Sequence, residues 1–133
     1  MIYDFDTAVC LARSPVSAES ALMRLRGMIG RHFHDRMDAM IFRRCQAVHT
    51  LFMAIPIDVL FLDRESRVVK VERRLPAWRF YAGVRGAVTT VEFPAGSLDG
   101  VEPGHRILLD QAPDQQTLRA MKNHGGMKES LDL

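Results

Sequence analysis

Apolar and polar positions alternate with a period of two along most of this chain, and recur with a helical period along one stretch only. Asp4–Ala12 opens on short alternation and predicts a strand, ended by Pro15. Ser17 then stands where a helix cap belongs, before Ala18, Ala21, Leu22, Leu25, Met28 and Ile29 at i, i+3, i+4, i+7 spacing, with Gly30 as the stop. From Ala39 the pattern turns β-like. Ala39–Arg43 is a short apolar run, and Ala47–Met53 places Val48, Thr50 and Phe52 on one face and His49, Leu51 and Met53 on the other. Ile57–Asp63 is apolar on both faces, as in a strand covered from both sides. Asp63–Ser66 reads as a turn leading into Arg67–Leu75, the clearest hairpin in the chain. Phe80–Gly86 reads as a loop, Ala87–Phe93 as a strand stopped by Pro94 and Gly96, and His105–Asp110 as a short strand after the Pro/Gly turn at Val101–Gly104.

Helices do not alternate with strands here, which argues against an α/β fold. The expectation is a mainly β chain: a compact single-domain β-sandwich or partly open barrel of six to seven short strands with one short N-terminal helix, over residues 1–112. Residues 113–133 read as a C-terminal tail, partly helical or disordered. Gln115–Lys122 carries a helical turn or two, and Gly125-Gly126 with a polar end predict fraying.

With 133 residues, 47% of them hydrophobic and 26% charged, the composition is that of one folded domain. A net charge of +2 demands no polyanionic partner, although arginines gather in residues 24–44 and 64–85. Solvated surface is the first reading of those segments, and weak anion or nucleic-acid binding stands behind it. Cys10 and Cys45 supply neither a disulfide framework nor a zinc motif. Asp4 and Asp6 fall where a secretory signal is basic, and Pro56 and Asp58 break Thr50–Leu62, the longest apolar stretch. A cytoplasmic protein without a membrane span is expected.

Chemistry concentrates in few places. Asp58 interrupts an apolar strand on the side of Leu60 and Leu62, so it must be paired, hydrogen-bonded or neutralised. It reads either as a general acid or base with His49, or as a structural carboxylate tying down backbone N–H groups of a neighbouring loop, and the second reading comes first. His32-Phe33-His34 lacks a third metal ligand, so no metal or cofactor is expected, and His105 and His124 are assigned no role. No serine has a nucleophile frame, and Cys45 reads as a small buried hydrophobe. Pro76-Ala77-Trp78-Arg79 puts the single tryptophan beside an arginine, equally suited to anchoring a ligand or covering the rim of a core.

A series of blocks follows in order: Leu25-Arg26-Gly27-Met28-Ile29-Gly30-Arg31, His49-Thr50 with Met53, Pro56 to Asp63, Pro76 with Trp78-Arg79, Val91-Glu92-Phe93-Pro94-Ala95-Gly96, and Gly104 before an apolar strand. Over about residues 5–110 this resembles the bacterial and archaeal family catalogued as domain of unknown function 192. The resemblance implies a compact, mainly β domain with one short helix and implies no enzyme activity. The family commonly has a basic residue where Ala54 stands, Gly where Ser66 turns the hairpin, and Asp where His105 follows Gly104. The first departure weakens a grip on an anion, and the third weakens a metal or acid–base role for that turn. The second places Ser where positive φ is suited to glycine.

The functional expectation is a non-catalytic accessory module that binds a protein or small molecule at a groove near His49, Thr50, Asp58, Trp78 and Arg79. The alternative is a small hydrolase or isomerase using Asp58 and His49 as an acid–base pair.

Overall fold

The structure, a computed structural model, describes residues 1–18, 33–46, 48–49, 55–76, 80–81, 84–109 and 113–131, with the backbone alone at 48–49, 80–81 and 126–131. The strands in order are β1 (Ile2–Asp4), β2 (Val9–Ala12), β3 (Pro15–Ser17), β4 (Ala39–Arg43), β5 (Val48–His49), β6 (Ile57–Leu62), β7 (Val68–Leu75), β8 (Phe80–Tyr81), β9 (Thr89–Pro94) and β10 (Ile107–Leu108). One helix, α1 (Gln115–Leu131), follows. The strands form a five-stranded sheet in the order β3-β4-β9-β6-β7, a three-stranded sheet in the order β10-β1-β2, and a β5-β8 ribbon. All pairings are antiparallel except β3 with β4.

Alternation along the central strands builds two cores, one on each face of the larger sheet. Ile41, Leu60, Leu62, Val91 and Phe93 meet Ile2, Ala12 and Ile107 of the smaller sheet, and this contact makes the sandwich. Met40, Phe42, Ile57, Val59 and Phe61 face the other way and pack with Ala18, Met37, Leu75 and Ala87. All six residues of β6 are therefore buried, which is the double coverage its unbroken apolar run predicts. Phe61 and Phe93 are completely enclosed. Truncating either to alanine costs about 3–5 kcal/mol.

The mainly β sandwich matches the expectation, with more and shorter strands. Asp4–Ala12 divides into β1 and β2, because the chain turns over Phe5–Ala8 with Ala8 at φ 59°. Part of the stretch read as a loop, Phe80–Tyr81, pairs with β5. The helix expected to Gly30 lies outside the described residues beyond Ala18.

β7 closes one edge of the larger sheet. Its pairing with β6 shifts register twice, and Arg74 near its end sits at φ 50°. Lys70 and Glu72 pair at 3.1 Å along it.

Helix α1 runs through Gly125 and Gly126, where the sequence predicts fraying. Asp114 caps it, its Oδ1 accepting the Thr117 amide at 2.7 Å, and that bond holds the Asp114 carboxyl below its ordinary range. Met121 is fully buried, and His124 reaches Asp6 at 2.9 Å. Tertiary docking of this kind offsets the poor helical propensity of two glycines.

Candidate functional site

Asp58, the second residue of β6, faces the core between the two sheets and is fully buried. Its Oδ1 accepts the Arg74 amide at 2.8 Å, and its Oδ2 accepts the amides of Gly96 and Leu98 at 3.0 Å each. Local geometry aims these donors. The register shift between Ile57 and Val59 and the left-handed φ of Arg74 turn that amide toward the carboxylate. Gly96, at φ 92°, turns the loop after β9 so that its own amide and that of Leu98 converge on one oxygen. Ordinary L-residues avoid that backbone conformation, so glycine suits the position.

The same loop is held from outside by arginines. Arg73 donates through Nε to the Leu98 carbonyl at 3.1 Å and through its guanidinium to the Val101 carbonyl. Arg74 pairs with Asp99 through both terminal nitrogens, at 3.1 and 3.2 Å. Arg67 donates to the Gly104 carbonyl at 3.2 Å. Three basic residues of the 64–85 segment thus serve contacts within the chain.

A carboxylate with three amide donors and no exposure is chemically a staple. Charge-assisted bonds of this type are about twice as strong as neutral ones. Proton exchange with a substrate requires near contact, which this enclosure does not offer.

The remaining sequence candidates fall around the β5-β8 ribbon. His49 pairs with Phe80 in backbone register. Thr50 follows His49 in the chain, and Trp78-Arg79 precede Phe80, so both segments join the ribbon at its His49–Phe80 end. Thr50, Trp78 and Arg79 themselves lie outside the described residues, as does the His49 side chain.

Two further polar groups emerge from the structure. Glu92 sits on central strand β9, paired with Met40 on one side and Val59 on the other, and so faces the second core. Its Oε2 has no hydrogen-bond partner, and burial pushes its carboxyl up to about 8. A charged residue inside an apolar strand was the signal that singled out Asp58, and the same signal marks Glu92.

The second group gathers at the end of β1. His105 Nδ1 lies 2.8 Å from Oδ2 of fully buried Asp4. His124 Nε2 lies 2.9 Å from Asp6 Oδ1, while Asp6 Oδ2 accepts the Arg106 amide at 2.8 Å. Asp4 Oδ1 in turn accepts the Asp6 amide at 2.9 Å. Phe5 stands between Arg106 and His124, 5.4 Å from the guanidinium carbon and 5.7 Å from the imidazole centroid. The histidines that sequence spacing left without a role are thus the partners of two aspartates more than a hundred residues away. No local pattern could reveal that.

A shallow cleft of about 390 Å³ opens where the β6–β7 turn and β10 meet the start of α1. Arg43 and Arg106 line it together with Glu65 and Asp114, so the formal charges of these four side chains balance. Among the described residues no helix is long and apolar enough to cross a membrane.

The architecture and the buried carboxylate define a small β-sandwich protein in which one side chain fixes a neighbouring loop. A family model described as "Uncharacterized ACR" matches residues 12–109, and the chain belongs to that family, domain of unknown function 192. A UPF0127 protein of Thermococcus sibiricus is 43% identical over 53 residues, which is 40% of this chain and 34% of that relative. A UPF0127 protein of Pyrococcus furiosus is 43% identical over 63 residues, 46% of this chain and 53% of that relative. The chain thus spans about a third and about half the length of these two curated relatives. A crystal structure of a protein of unknown function from Novosphingobium aromaticivorans shares the fold, with a TM-score of 0.63 at 20% identity over 74% of this chain and 75% of that one.

Proposed function

We propose that this chain is a non-catalytic binding module whose recognition surface lies at the His49–Phe80 end of the β5-β8 ribbon. The observation that carries the reading is the state of Asp58. The carboxylate best placed in sequence for acid–base work is filled by the amides of Arg74, Gly96 and Leu98, so it acts on the fold. This weighs against the hydrolase or isomerase reading with His49, in which Asp58 is the central residue. What it leaves for recognition is His49, Thr50, Trp78 and Arg79, in the two segments that join the ribbon at one end. A tryptophan beside an arginine offers apolar area, a π-face and a directional cation, the combination that dominates binding hot spots. The engagement of Arg67, Arg73 and Arg74 within the chain favours a protein or small-molecule ligand over a nucleic acid.

The test is calorimetric titration of candidate partners, with Trp78 fluorescence as a second readout in the parent chain and Trp78→Phe as its spectroscopic control. Arg79→Ala is expected to weaken a confirmed partner by about tenfold or more with the thermal midpoint unchanged. An affinity indifferent to both Trp78→Ala and Arg79→Ala refutes the reading. So does a hydrolytic or isomerase activity that Asp58→Asn abolishes while the fold is retained.

A further inference from the structure

The aspartates and histidines at the end of β1 bring metal-ligating atoms together from both ends of the chain. Asp4 is fully buried and Asp6 has a side chain only 11% exposed, so two carboxylates stand together in a region of restricted solvent. A carboxylate oxygen of each and a ring nitrogen of His105 all lie within 4.8 Å of one another. His124 adds Nε2 at 2.9 Å from Asp6. The four side chains come from β1, its following turn, the segment two residues before β10, and helix α1. The pairing of Asp4 with Ile107 brings the first three together, and the docking of α1 brings the fourth.

We propose that Asp4, Asp6 and His105 form a binding site for a divalent transition-metal cation of the zinc class, with His124 holding Asp6 from outside it. This inference is independent of the recognition surface proposed above. Two carboxylate oxygens and one imidazole nitrogen, with a solvent molecule as the fourth ligand, are a donor set suited to zinc, cobalt and their neighbours. Four donors around an ion bonded at 2.0–2.1 Å stand about 3.3 Å apart. The 2.8 Å Asp4–His105 contact is already close to that separation, and the three donor atoms, all within 4.8 Å of one another, reach it with movements of at most about 1.5 Å. A divalent charge balances both carboxylates at once, whereas an imidazole does so only when protonated. The partial exposure of His105 and His124, 16% and 44%, gives the ion a way in. Asp4, Asp6 and His124 all lie outside residues 12–109, so the site is assembled by the two ends of the chain around a family core.

The experiment uses the full chain and the metals alone. Zn²⁺ is titrated by calorimetry after chelator treatment, and Co²⁺ is followed by its visible absorption. Expected are one ion per chain, an intense tetrahedral Co²⁺ band and a raised thermal midpoint. His105→Gln and His124→Gln are each expected to weaken binding by about tenfold or more. NMR of the unmodified protein provides a reading that no variant's folding can disturb. Among its five histidines, Zn²⁺ is expected to perturb the imidazole signals of His105 and His124 first. Absence of saturable binding overturns the proposal, as does binding unchanged in both variants, or Zn²⁺ perturbing other histidines while these two stay still.

Discussion

Leu98 donates its amide to Oδ2 of Asp58 at 3.0 Å across forty residues of chain, inside a core that excludes water. Gly96 shares that oxygen, and Arg74 takes the other. The loop after β9 is therefore ordered by an interior charge as well as by its own turns. A carboxylate buried in this way is worth keeping only while every donor is in place.

Asp58→Asn replaces one acceptor oxygen with an NH₂ group that faces an amide donor. At least one of the three amides loses its partner within the core, and the expected cost is about 2–4 kcal/mol. Urea denaturation measures it. A loss below about 0.5 kcal/mol, well short of the cost of an unpaired buried donor, would contradict the staple.

Glu92 gives the fold a pH dependence of defined sign. Its carboxyl is pushed up to about 8 when folded, so between its ordinary value near 4.5 and 8 the native state holds a proton that the unfolded chain has released. Stability from this group therefore falls as pH rises through that window and levels off above it. Glu92→Gln is expected to flatten the decline and to exceed the parent by several kcal/mol at pH 9, with little difference at pH 4. Thermal melts of both proteins from pH 4 to 9 decide the matter. Parallel curves would refute the assignment.

Ser66 occupies φ 58° in the β6–β7 turn, where its carbonyl accepts the Ile107 amide at 2.8 Å and Asp63 Oδ1 accepts the amides of Glu65 and Arg67. The turn is well bonded but carries a side chain in a conformation that costs L-residues roughly 1–2 kcal/mol. Ser66→Gly removes that strain and adds unfolded-state entropy, so a net gain of about 0.5–1 kcal/mol is expected. A lower thermal midpoint in the glycine variant would show that the Ser66 side chain contributes more than the backbone loses.

His124 fastens the middle of α1 to the turn after β1. His124→Ala is expected to cost about 1 kcal/mol and to speed amide exchange in α1, leaving the exchange of β6 and β9 at its parent rate. Uniform acceleration across the sheets would mean that the helix and the sandwich unfold as one unit.

Much of this was legible from local pattern, and the rest depended on distance. The run Ile57–Asp63 announced a doubly covered strand because burial on both faces leaves no polar position to mark, and β6 is such a strand. Asp58 was conspicuous for the same reason. Its environment accords with the structural alternative, since its ligands are backbone groups that any sequence possesses and only Gly96 leaves a trace. β5 lies within the alternating run Ala47–Met53, whereas β8 contributes two residues, too few for alternation to register. The extent of α1 was hidden because His124 holds it through a contact with Asp6 at the other end of the chain, and Met121 is buried by tertiary packing. Asp4 with His105 and Asp6 with His124 form only when those ends meet, and spacing in one dimension carries no sign of it.

The irregular course of β7 bears on how molecules of this protein treat one another at high concentration. A regular edge strand presents a row of free backbone groups that a second chain can extend, the first step toward fibres. Here the row is interrupted by two register shifts and by the left-handed turn at Arg74, and it is flanked by Lys70, Glu72 and Arg73. A neighbouring chain would find neither continuous hydrogen bonding nor a flat apolar face along it. The defects in that strand keep a strongly hydrophobic sheet from becoming a template for its own aggregation.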